Sequence, residues 1–122
     1  MPFNVTSKRL PGYVRYNVAG PASLKSFADL VLQVAAETER YEDDRVLLDL
    51  RKVENRMSTS EQQLIGEMAA TRLPLLFKLA SIVAKGEITR NSERAAVNKG
   101  LQVRVFDSEP SALAWLLEPQ LN

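Results

Sequence analysis

The chain has 122 residues, with 16 Lys and Arg against 15 Asp and Glu, and contains neither His nor Cys. A near-neutral charge with both signs interspersed gives no electrostatic case for a nucleic acid or an anionic membrane, and an apolar content of 45% is that of an ordinary globular domain. Without Cys there is no disulfide or thiolate chemistry, and without His there are neither Ser-His nor Cys-His nucleophile pairs nor the usual zinc ligands.

No apolar run approaches the roughly 20 residues of a membrane span. The stretch Met1–Val5 lacks the basic and apolar regions of a signal peptide. The expectation is one cytoplasmic domain covering 1–122, with no membrane span.

Phe3–Leu10 reads as a first strand, and Pro11 and Gly12 as a turn. Tyr13–Ala19 alternates aromatic and β-branched residues with polar ones and reads as a second strand, antiparallel to the first. Gly20 and Pro21 should stop it. Leu24, Phe27, Val31 and Val34 then share one helix face, on a helix from Ala22 into the acidic stretch Glu37–Asp44.

Val46–Leu50 is an apolar run broken once, by Asp49, as in a strand covered on both faces. Ser58–Arg72 reads as the second helix, with Leu64, Ile65, Met68 and Ala69 inward, and Pro74 marks its end. Leu79–Ala84 is a fourth strand, stopped by Lys85 and Gly86. Thr89–Gly100 is a weaker helix with Gly100 as its C-cap. Leu101–Phe106 is the fifth strand, and Ser108–Leu117 the last helix. Helical crossovers imply right-handed parallel connections. The fold class is therefore α/β: a mixed five-stranded sheet with the first strand antiparallel, Val46–Leu50 central, and four helices covering it.

At this point the chain resembles the STAS fold (sulphate transporter and anti-sigma-factor antagonist), and more closely its bacterial SpoIIAA-like, STAS/SEC14 branch. The residues that carry the resemblance are Val18–Gly20, Leu48–Leu50, Ala80–Val83, Val103–Phe106 and Ala112–Leu116. Most are core positions, so they bear on fold more than on activity. In anti-sigma-factor antagonists a serine at the start of the second helix is phosphorylated to switch partner binding. The resemblance carries that position onto Ser58. The family's serine usually follows an aspartate and precedes a serine and a glycine, whereas here Met57 precedes Ser58, and Thr59 and Ser60 follow it.

The residues themselves admit plainer roles. Ser58 and Glu61 have the spacing of a capping box, which accounts for Ser58 without a switch. Asp49 lies near a strand C-terminus, with Arg51, Lys85 and Gly86 expected at the same edge. Together they make a candidate ligand crevice, since open α/β sheets bind ligands beyond those ends; alternatively Asp49 only accepts hydrogen bonds from its loop. Leu75, Leu76 and Phe77 form a candidate apolar surface for a partner or lipid, or the last turn of a helix buried in the core. Trp115, framed by Leu113 and Leu116, reads as a core anchor that should be largely buried.

No phosphate-binding glycine motif is present, and no cofactor or metal is expected. The function expected is that of a non-catalytic protein-interaction or regulatory domain resembling the anti-sigma-factor antagonists, switched at Ser58 if at all, with Ser58 and Thr59 on the partner surface. The partner would be a protein, with a homodimer left open. The alternative is SEC14-like binding of a small apolar or lipid ligand, which a deep apolar cavity under the second helix would favour.

Overall fold

The computed structural model describes residues 2–54 and 57–119. Its elements are β1 (Asn4–Leu10), β2 (Tyr13–Pro21), α1 (Leu24–Tyr41), β3 (Arg45–Glu54), α2 (Thr59–Arg72), β4 (Lys78–Ile82), α3 (Asn91–Asn98), β5 (Val103–Phe106) and α4 (Glu109–Leu116). The sheet order is β1-β2-β3-β4-β5, with β1 antiparallel to β2 and every later pair parallel. The apolar run of β3 is central, as its two covered faces require.

Strand parity divides the core in two. Val14, Tyr16 and Val18 of β2, Val46 of β3 and Leu79 of β4 pack with Leu30 and Val34 of α1, and Leu48 and Leu50 join them. On the other face Leu47, Ala80 and Ile82 pack with Ala112 and Leu116 of α4. Helices α1 to α3 thus share one face, and α4 alone covers part of the other.

Several boundaries differ from expectation, β3 most of all, since it runs on to Glu54; two of the differences have clear local reasons. β2 runs through Gly20 and Pro21, because a register irregularity between Asn17 and Ala19 carries its pairing with β3 on to Pro21 opposite Glu54. β1 reaches only Ala19, so Pro21 stands at an unshared strand end, where its missing N–H costs nothing. β4 begins at Lys78, one residue before its expected start at Leu79. Its side chain is buried, and its Nζ donates to the Trp115 carbonyl at 2.7 Å near the C-terminus of α4, where a cation meets the helix dipole.

α2 is turned from its expected orientation. Ile65 and Gly66 are buried, whereas Leu64 is exposed. α2 is squeezed between α1 and α3, so its buried side is set by two helix neighbours rather than by one apolar stripe. Trp115 is also displaced from the expected role. It is half-buried, against Phe106 at a centroid distance of 5.9 Å and with Lys78 Nζ 4.7 Å from its ring centre. The residue next to it, Leu116, is the fully buried anchor of α4.

Candidate functional site

Ser58 is the N-cap of α2, and its extended backbone aims the hydroxyl back at the first turn. Its Oγ accepts from the Glu61 N–H at 3.2 Å, and the Ser58 N–H donates to Glu61 Oε1 at 3.1 Å. Both halves of the capping box are made. Ser58, Thr59 and Ser60 are exposed. Ser58→Ala is expected to lower stability by about 1 kcal/mol, read as a lower denaturation midpoint; an unchanged midpoint would show that the cap carries no weight.

Asp49 does not open into a crevice beyond the strand ends. It shares the parity of Leu47 and so lies on the α4 face, opposite α2. There it accepts from Arg51 Nε at 3.0 Å and Arg51 Nη2 at 2.7 Å, and from Arg15 Nη2 at 2.7 Å. Glu109, in the first turn of α4, pairs with the same two guanidinium groups, at 2.9 Å from Arg15 and 3.2 Å from Arg51. Two cations and two carboxylates cancel, leaving no spare charge for a ligand. Lys85 and Gly86 lie exposed in the loop after β4, and neither pairs with Asp49 among the described residues. The four-residue crevice expected from sequence is therefore replaced by an Arg15–Asp49–Arg51–Glu109 network.

Hydrogen bonds from the Arg51 side chain are the largest cause holding the Asp49 carboxyl below its ordinary value of 3.8. Burial opposes them, and the charges of Arg51 and Arg15 add to them. A carboxyl lowered in the folded state contributes stability that is full above its unfolded pKa and lost as pH falls through its folded pKa. Wild type should therefore melt above Asp49→Asn at pH 6, with the gap shrinking below about pH 4. A gap constant from pH 6 to pH 2.5 would contradict this.

The stretch Leu75–Phe77 does not form a continuous apolar surface. Leu75 is exposed, Leu76 is buried, and Phe77 is half-covered, with the Arg45 guanidinium 5.2 Å from its ring centre. Only Leu75 is free to meet a partner.

An opening lies under α2. It is a cavity of about 130 Å³ between the sheet and α1, α2 and α3. Phe27, Val31 and Val34 of α1 wall it on one side, and Ile65 and Ala69 of α2 on another. Gln62 braces its rim: its Nε2 donates to the Met57 carbonyl, its Oε1 accepts from Thr89 and Asn91, and its carbonyl accepts from Ser92 Oγ at 2.7 Å. Sequence reasoning named neither Gln62 nor Arg15, Glu109 and Ser81. Of these, only Ser81 carried a visible signal, as a polar residue within an otherwise apolar strand. Among the described residues no group of acidic side chains stands close enough to hold a metal ion.

Solved structures share this architecture. An anti-sigma factor antagonist from Mycobacterium paratuberculosis superposes with a TM-score of 0.65 at 14% identity, over 95% of each chain. An uncharacterized protein with a SpoIIAA-like fold from Shewanella loihica gives 0.58 at 14% identity, over 94% of each chain. The chain has a SpoIIAA-like fold. At these identities the likeness is one of fold. No protein-family model and no curated protein matches the sequence. Within the SpoIIAA-like fold, Ser58 and the cavity lie on the α1–α3 side and the Asp49 network on the α4 side. No helix among the described residues is long and apolar enough to cross a membrane.

Proposed function

We propose that the chain is a non-catalytic regulatory domain of the cytoplasm that works by binding a protein partner through the N-terminus of α2. The observation that carries this reading is the placement of Ser58: exposed, at the first turn of α2, in a SpoIIAA-like fold. An anti-sigma factor antagonist shares that fold over nearly the whole chain. The resemblance noted in the sequence carries the antagonists' switch serine onto this position. A phosphate on Ser58 would meet the free N–H groups and positive dipole end of α2 while crowding Glu61, so it would change the surface without unfolding the helix.

Ser58→Asp is the test. Aspartate is itself a good N-cap, so melting should stay near wild type, while affinity for the partner recovered from host extract should change several-fold. If Ser58→Asp and Ser58→Ala both bind that partner like wild type, and native protein carries no phosphate there, Ser58 is a cap alone and the reading fails.

A second reading, binding of a small apolar molecule, is supported by the cavity beneath α2. Its volume is close to the roughly 150 Å³ of an engineered apolar cavity that admits benzene. Calorimetric titration with toluene tests it: saturable binding supports the reading, and none up to solubility overturns it.

A further inference from the structure

The sheet side of the cavity carries one chemical irregularity. Leu48, Leu50, Leu79, Val103 and Val105 line it with hydrocarbon, and among them stands Ser81. Ser81 occupies the middle of β4, beside Leu48 of β3 and Val105 of β5, and is 7% exposed. Its hydroxyl makes no hydrogen bond to any described residue. Among the described residues no fully enclosed side-chain polar atom lacks a partner, so the Ser81 hydroxyl is left accessible to the cavity that it lines.

A buried hydroxyl without a partner is costly. Water is a poor remedy here, because an ordered water needs two to four polar neighbours and the floor around Ser81 is hydrocarbon. Thr89 and Ser92 on the rim are each occupied with Gln62, and the remaining polar lining residue, Glu87, is exposed. A ligand that fills the apolar space and brings one polar group to the floor resolves both defects.

We infer that the cavity binds a small neutral molecule, an apolar ring or short chain bearing a single hydroxyl or carbonyl, with that polar group hydrogen-bonded to Ser81 Oγ. The inference rests on the second reading above and specifies its ligand. Size sets one bound, because a space of about 130 Å³ holds about one ring and excludes a two-chain lipid. Charge sets the other. No Lys or Arg lines the cavity, so a buried anionic head would be uncompensated, and the one charged lining residue, Glu87, is exposed, so it offers no buried partner for a cation.

The probes p-cresol and toluene, which differ by a single hydroxyl group, titrated against isotope-labelled protein by NMR, separate the two levels of the claim. Both should shift the amides of Ile65 and Ala96 on the cavity wall. Wild type should hold p-cresol about tenfold more tightly than toluene, the value of one well-made hydrogen bond. Ser81→Ala should abolish that ratio while still binding toluene, and Ser81→Thr, which keeps the hydroxyl, should retain it. Equal affinities in wild type, or a ratio preserved in Ser81→Ala, would overturn the assignment of Ser81 and leave the apolar cavity standing. No binding of either probe would overturn the cavity reading and the inference together. Should Ser81→Ala fail to fold, the wild-type ratio decides, together with the presence or absence of a nuclear Overhauser effect between the cresol ring and Ser81.

Discussion

Gly66→Ala is expected to lower stability by about 3 kcal/mol or more, although intrinsic helix propensity alone would favour alanine by about 1 kcal/mol. α3 crosses α2 at this glycine. A methyl group on Gly66 would fall onto the Ser92 carbonyl oxygen and stand 3.0 Å from Ala95 Cβ. The obstacle is backbone, so no rotamer change relieves it. Nor can α3 simply withdraw. Ser92 Oγ is held by the Gln62 carbonyl at 2.7 Å, and Asn91 Nδ2 by Gln62 Oε1 at 3.0 Å. The helices must part and give up those bonds, or the backbone must strain. Urea denaturation is the measure: a clearly lower midpoint is expected, and a midpoint at or above wild type would show that α2 and α3 are not packed this closely.

Leu116→Ala is expected to cost about 3–4 kcal/mol, and Trp115→Ala clearly less, about 2 kcal/mol. Leu116 is fully buried against Leu47, Ala80 and Ile82, so its removal leaves a void beneath a helix of 8 residues that has few other anchors. Trp115 loses only a half-covered ring, its contact with Phe106 and the Lys78 cation over its face. The Lys78 hydrogen bond to the residue-115 carbonyl survives the change, because it is made to backbone. Thermal melts of the two variants should therefore rank Leu116→Ala below Trp115→Ala. The reverse order would restore the tryptophan to the core position expected from sequence.

That inversion illustrates what the sequence conceals. The strand–helix order was legible, because strands change parity and helices change period in ways that survive without partners. Val46–Leu50 could be placed at the centre because only a strand covered on both faces tolerates so unbroken an apolar run. The phase of a short or apolar element was not legible. Trp115 and Leu116 both look like core residues on α4, and only the direction of the helix over β3 and β4 decides between them. Leu64 was expected inward and is exposed, while Gly66, which no sequence signal singled out, is where α3 approaches α2 closely.

The candidate site was legible one residue at a time and not as an assembly. The Ser58 cap was readable because a capping box is closed within four residues. Asp49 was visible as a carboxylate in a strand, but the face it occupies and its partner Arg15, 34 residues away, depend on sheet register. The cavity could not be read at all, since it arises where α2 stands off the sheet between α1 and α3. Ser81 stood in view as a lone hydroxyl in β4, without any indication of what it faces.

The most direct test of the proposed function maps the partner onto the surface. Isotope-labelled protein titrated with the partner recovered from host extract should show amide shifts concentrated at Ser58, Thr59 and Ser60 and along the first turns of α2. Arg15, Asp49 and Glu109, on the opposite face, should stay nearly unmoved. Shifts confined to that charged network and to the open side of β1 and β2, with the N-terminus of α2 silent, would contradict it.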